Sequence, residues 1–223
     1  MSLTPVVDWG FYQAAYWSAF YGFTFGCSLR SIGREHVPVS GPVLLVSNHQ
    51  SFIDPVLVGV SATRQLTYLA RDNLFHNRIL GRIIRHYGAV PIDRGFGKEG
   101  LMAVLRELDR GSAVLMFPEG ERSQTGALQP LKPGVSLLLK RVTCPIVPVG
   151  ISGAYAAWPR QQKWPSFDPL LLPTTGRAIA VAFGPPLDPS QFRGRDREAM
   201  LAPLQTSIAT AHAHAERIRR KVV

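Results

Sequence analysis

The sequence predicts an α/β protein: a mainly parallel or mixed sheet of six or more strands flanked by helices. Three observations carry this expectation. Six short apolar, β-rich runs recur along the 223 residues, at 42–46, 66–70, 88–94, 113–117, 145–151 and 178–183. Such unbroken runs suit strands buried on both faces. Helical stretches lie between most of them, the alternation expected of a parallel sheet. Two runs, moreover, end abruptly on clusters of polar residues, as strands do where they open into a crevice at their carboxyl ends.

Taken in order, residues 9–29 carry no charged side chain and nine aromatic ones, among them Trp9, Tyr12, Tyr16, Trp17, Phe20 and Tyr21. About 20 apolar residues can just cross a bilayer. Trp and Tyr, however, favour the headgroup region, and the leucines of a spanning helix are missing. No basic stretch precedes the segment, so a cleaved signal peptide is not expected. Tyr12, Tyr16 and Phe20 recur every fourth residue, as on one helix stripe. An interfacial or shallowly inserted helix is expected, followed at the surface by Arg30 and Arg34. Residues 1–33 are therefore assigned to a membrane-associated helix and 34–223 to the α/β domain.

The strand at 42–46 runs into Ser47-Asn48-His49-Gln50-Ser51-Phe52-Ile53-Asp54-Pro55. Asp54 suits a helix cap and Pro55 the first helical position. On one continuous helix, residues five apart point about 140° away from each other. With His49 in the turn and Asp54 at the helix start, the chain can instead fold back and bring them together. His49 then suits a general base, with Asp54 holding one ring nitrogen protonated.

A second strand at 66–70 leads to a basic helical segment with Arg71, Arg78, Arg82 and Arg85. The strand at 88–94 ends on Asp93 and Arg94, and 98–109 reads as a helix ended by Gly111. The strand at 113–117 runs directly into Pro118-Glu119-Gly120-Glu121-Arg122-Ser123. Gly120 permits close backbone approach, and Arg122 suits a phosphate or carboxylate. Lys132 precedes a helix at 135–141. Two prolines, Pro145 and Pro148, place the fifth strand at an edge or a bulge. Residues 158–173 read as an irregular loop bordering a substrate channel or the membrane face. The helix at 196–221 carries His212 and His214, two apart and both expected to be solvated.

Composition narrows the partners. A net charge of +10 calls for an anionic one: nucleic acid, lipid surface or phosphorylated substrate. The basic residues are scattered and no recognition motif appears, so nucleic acid is not expected. Cys27 and Cys144 are too few for a disulfide framework and lack ligand spacing, so a reducing compartment and no metal are expected.

With these stretches laid out, the chain resembles the 1-acylglycerol-3-phosphate acyltransferase family of glycerolipid synthesis, collinearly from about Arg34 to Phe183. NHQSFIDP fits the family's His-x4-Asp motif, GAVPIDR its second block, FPEGERS its third and CPIVPVGI its fourth. The resemblance implies that His49 and Asp54 are catalytic, that Arg94, Glu119, Gly120, Arg122 and Lys132 meet the acceptor, and that an apolar tunnel takes the acyl chain. It also implies an acyl thioester co-substrate (acyl-CoA or acyl carrier protein) and no cofactor. The work would be done at the cytoplasmic face of an anionic membrane, with phosphatidic acid as product. Two positions depart from the family: Glu121 stands where threonine is common, and Arg71 where lysine is common. A carboxylate at 121 would repel a phosphate unless turned away or paired. The other readings are an acyltransferase with a different lysolipid or alcohol acceptor, and an inactive lipid-surface binding protein.

Overall fold

The computed structural model describes residues 4–92, 97–170, 176 and 178–219. Seven strands form one sheet in the order β1-β7-β6-β2-β5-β3-β4. They are β1 (Arg30–Ile32), β2 (Val43–Ser47), β3 (Thr67–Arg71), β4 (Ala89–Ile92), β5 (Ala113–Met116), β6 (Ile146–Ser152) and β7 (Ala180–Phe183). Every neighbouring pair is parallel except β6–β7. The mixed, mainly parallel sheet is thus the one expected. β1 adds a short strand beyond the six, and it lies on the N-terminal side of the boundary expected at 33.

Helices cover both faces, and the strands show why their runs are continuously apolar. In β2, Val43 and Leu45 enter one buried cluster while Leu44 and Val46 enter the other. The first cluster is closed by α1 (Thr4–Cys27), α2 (Asp54–Ser61), α3 (Arg78–His86) and α6 (Ala154–Ala157). The second is closed by α4 (Lys98–Asp109), α5 (Val135–Leu139) and α7 (Arg197–Arg219). α7 presses so closely on β6 that a Cβ at Gly150 would meet the His212 nitrogen at 2.1 Å.

Two expectations are corrected. β6 lies inside the sheet, between β7 and β2, not at an edge. Pro148 is tolerated because of where its nitrogen points. Ile146 exchanges both main-chain bonds with Leu187, and Pro148 accepts from Gly184, so this side of β6 faces residues 184–187, where β7 has already ended. Only the Pro148 carbonyl is used there. A Cβ at Gly184 would meet the proline ring at 2.9 Å. His212, expected to be solvated, is half-buried beside Gln50, with Nε2 atoms 3.5 Å apart. Burial draws its imidazole below the ordinary value.

α1 packs inward through the expected stripe: Tyr16 donates to the Val60 carbonyl, and the Tyr12 ring lies edge-on to Tyr87. Its opposite side exposes Trp17, Tyr21 and Phe25, stacked in sequence along the helix. Among the described residues no helix is long and apolar enough to cross a membrane.

Candidate active site

β2 and β5 are neighbours, yet the chain leaves β2 for α2 on one face of the sheet and leaves β5 for α5 on the other. Loops that part in this way leave a crevice at the carboxyl ends of the two strands. His49 stands in it, after β2, with its ring stacked on that of Phe117, the residue after β5, at 4.0 Å between centroids.

His49 Nδ1 lies 2.8 Å from Asp54 Oδ2. The same oxygen accepts from the main-chain nitrogens of Gln50 (2.5 Å) and Ser51 (2.7 Å). Asp54 is fully buried, whereas the His49 side chain keeps 18% of its surface open. Asp54 is the first residue of α2, and its other oxygen, Oδ1, is buried with no hydrogen-bond partner among the described residues. The expected cap is replaced by a carboxylate turned back onto the preceding turn. An ionised carboxylate only accepts, so a neutral imidazole bonded to it would carry its proton on Nδ1 and leave Nε2 as the accepting nitrogen.

The loop after β5 fixes the His49 main chain from both sides. The His49 nitrogen donates to Glu119 Oε1 at 2.7 Å, and its carbonyl accepts from the Ser123 nitrogen at 2.8 Å. The other Glu119 oxygen accepts from the Gln129 nitrogen at 2.9 Å. Glu119, expected beside an acceptor, is therefore buried with both oxygens occupied by main chain. Burial pushes its carboxyl up to about 7, and the negative charge of Asp54 adds to the rise, against the pull of the two N–H donors.

Asn48, absent from the expected site, completes the frame. Its side-chain amide copies a peptide group, donating to the Ile151 carbonyl (2.9 Å) and accepting from the Ile151 nitrogen (2.7 Å). This ties the turn to the end of β6. An Asn placed directly after an apolar strand was the only signal for it in the sequence. Gln50, also unassigned, donates to the Gly126 carbonyl at 2.7 Å.

Cationic side chains gather at the rim. Arg122 is half-buried, with its guanidinium 5.9 Å over the Phe52 ring. Burial and the neighbouring charges of Arg160 and Arg71 lower its affinity for the proton. Lys132 lies along Gly120, whose φ of +76° suits glycine and whose added Cβ would meet the lysine chain at 3.1 Å. Glu121 is paired, 3.6 Å from Arg160 and 3.8 Å from Lys132. Arg94 and Asp93 lie outside the described residues. Beside the turn, Ile53 and Trp158 join Phe23, Cys27 and Phe167 around an apolar cleft of about 290 Å³ between α1 and the 158–167 loop. Among the described residues no cluster of His, Cys, Asp or Glu could hold a metal.

A buried carboxylate bonded to a histidine, beside an apolar cleft and a basic rim, defines the class: a site built around a positioned histidine base. The family follows from comparison. Residues 28–152 match the acyltransferase family model, and the chain belongs to that family. It is similar to a chloroplastic 1-acyl-sn-glycerol-3-phosphate acyltransferase of Brassica napus, 30% identical over 54% of this chain and 36% of the relative. A Bacillus subtilis enzyme of the same name is 27% identical over 54% of this chain and 60% of the relative. The chain thus spans from about a third to three fifths of these relatives. The crystal structure of the 1-acyl-sn-glycerophosphate (LPA) acyltransferase PlsC from Thermotoga maritima superposes with a TM-score of 0.75, at 19% identity, over 100% of this chain and 86% of that one. That likeness supports the fold.

Proposed function

We propose that this chain transfers a fatty acyl group from an acyl thioester to the free hydroxyl of 1-acylglycerol 3-phosphate, working at a membrane surface. The observation that carries the reading is the 2.8 Å bond between His49 Nδ1 and a fully buried Asp54. In this reading His49 Nε2 takes the hydroxyl proton as the oxygen attacks the thioester carbonyl. The tetrahedral intermediate then collapses, the carbon–sulfur bond breaks, and the departing thiolate receives the proton from His49. General base catalysis of this kind contributes about 10²–10⁴-fold.

No acyl-enzyme is needed. Ser51 Oγ is turned away, donating to the Trp158 carbonyl at 2.7 Å, which favours direct transfer. Arg122, Lys132 and Arg94 are proposed to anchor the phosphate, Gly120 to let Lys132 lie close, and Glu119 to hold His49 rather than touch the acceptor. The cleft beside Ile53 takes the acyl chain. The donor is acyl-CoA or acyl carrier protein, the product phosphatidic acid. Trp17, Tyr21 and Phe25 seat the chain on the bilayer without crossing it.

One observation favours a second acceptor class: Lys132 shares its charge with Glu121, which weakens the site for an anion. A radiolabelled acyl thioester with a panel of lysolipids decides between them. Wild type is expected to prefer lysophosphatidate, and Arg122→Ala to lose roughly 10–150-fold in kcat/KM on it, from about 1.5–3 kcal/mol for a charge-assisted contact. A wild type that prefers a zwitterionic lysolipid, with Arg122→Ala neutral, removes the phosphate reading.

A further inference from the structure

α3 carries a surface that the site does not use. Among the described residues, His49, Asp54, Glu119 and Arg122 make none of their hydrogen bonds, ion pairs or ring contacts with it. Ile79 is 76% exposed and Ile83, one turn on, is 39% exposed. Beside them Arg78, Arg82 and Arg85, with Phe75 and His86, line a recess of about 400 Å³. Arg85 rests over the Phe75 ring at 5.0 Å, so its stem is held. No ion pair joins any of the three arginines to a carboxylate among the described residues. Asp72, the nearby acid, faces His76.

The helix is fixed with this side outward. A Cβ at Gly81 would meet the Phe75 carbonyl oxygen at 2.8 Å, so that side lies flat on the preceding turn. Ile84 and Tyr87 pack into the same cluster as Phe23 of α1 and Leu57 of α2. Tyr87 also donates to the Ala15 carbonyl of α1 at 2.8 Å. α1 and α3 therefore lie in one layer on one face of the sheet. Both helices of that layer leave apolar side chains exposed, Trp17, Tyr21 and Phe25 on one and Ile79 and Ile83 on the other.

We infer that the Arg78–His86 helix is a second membrane-contact element, which takes the phosphate headgroups of anionic lipids on Arg78, Arg82 and Arg85 while Ile79 and Ile83 enter the interface. Aliphatic side chains standing among cations that pair with no carboxylate of the described residues match the boundary between acyl chains and anionic headgroups. A soluble phosphate would leave Ile79 in water, and an acidic protein would leave the adjoining aromatic stripe unused. The inference rests on the membrane-surface reading above, and α1 and α3 would bear on the same bilayer.

The test is partition of the full chain onto vesicles of phosphatidylcholine, alone or with about a third phosphatidylglycerol, without turnover. Arg78→Gln/Arg82→Gln is expected to bind the anionic vesicles roughly 30-fold more weakly, at about 1 kcal/mol per basic side chain. Binding to phosphatidylcholine alone should not change. Ile79→Ser should weaken binding to both kinds of vesicle, by roughly tenfold. All three side chains are exposed, so the melting temperature should hold. If wild type binds neither vesicle, the surface reading fails and takes this one with it. If wild type binds and the double variant binds equally well, only the assignment of α3 falls. A double variant that keeps vesicle binding but loses adenosine 3′,5′-bisphosphate assigns the arginines to a soluble phosphate and overturns the lipid reading.

Discussion

His49 is positioned by its main chain as much as by its ring: Glu119 and Ser123 grip its nitrogen and carbonyl, while Asp54 sets the tautomer. Asp54→Asn should therefore lose most acyl transfer with the fold intact, because an amide can offer N–H where Nδ1–H needs an acceptor. His49→Ala should lose nearly all of it, and a folded His49→Ala protein with substantial activity would end the base mechanism. Glu119 gives a test that needs no substrate. Its folded value of about 7 lies above the ordinary carboxyl value of 4.5, so the native state binds the proton more tightly than the unfolded chain does. Its contribution to stability is thus greatest below about pH 4.5, declines as pH rises to about 7, and is level beyond. The span is on the order of 3 kcal/mol. Urea unfolding at several pH values should show wild type losing more stability between pH 5 and 8 than Glu119→Gln does. Parallel pH curves for the two would show that the Glu119 proton is not coupled to folding.

At the scale of elements, the expected strand runs and helices were legible because most strands are apolar on both faces and most end in a turn with Gly, Pro or polar residues. β1 was not. Three residues, Arg30–Ile32, carry no pattern of their own and become a strand only because β7 offers them an edge. Of the two settings offered for β6, an edge or a bulge, the failure of the edge was hidden for a related reason. Whether a proline costs a ladder bond depends on which side its nitrogen faces and whether a neighbour is still there, and both are facts about β7. Within the site, the meeting of His49 with Asp54 was foreseeable from the strand-to-helix turn, whereas their assignment as catalytic leaned on the family resemblance. The inward duties of Asn48 and Glu119 were not foreseeable, since a buried brace and an exposed ligand use the same side chains. The close approach of α7 to β6 was equally hidden, and it carries a prediction. Gly150→Ala sets a methyl 2.1 Å from the His212 nitrogen and 2.2 Å from the Ala211 carbonyl carbon. Neither is a flexible side-chain end, so α7 must move as a unit, taking Met200, Leu204 and Ile208 with it. Thermal unfolding should show a loss of several kcal/mol, beyond the usual 1–3 for an overpacked core. A wild-type melting temperature would mean that the helix yields easily.

For the whole molecule, the membrane-surface reading proposed above has charge and aromatic content divide the work of meeting a bilayer. The net charge of +10 acts over about a Debye length and weakens as salt rises, whereas buried rings act only on contact and are indifferent to salt. The stripe on α1 lies on the contact side of that division. Trp17, Tyr21 and Phe25 are 47%, 52% and 53% exposed, while Tyr12 and Tyr16 hold the helix to α2 and Tyr87. Replacing an outward ring should therefore leave the fold alone and change the surface. Each ring has roughly 100 Å² to bury, which at about 25 cal/mol per Å² is some 2.5 kcal/mol before any loss to ordering. Trp17→Ser, Tyr21→Ser and Phe25→Ser should each weaken binding to neutral vesicles by more than about tenfold, with little dependence on salt. Tyr16→Phe, which removes only the hydroxyl bonded to Val60, should bind vesicles as wild type does and lower the melting temperature slightly, at about 1 kcal/mol for one hydrogen bond. Vesicle titrations in low and high salt, beside melting curves, read both effects. If the three serine variants bind as wild type does, the stripe is not what touches the bilayer, and the basic surface of α3 must hold the chain there without it.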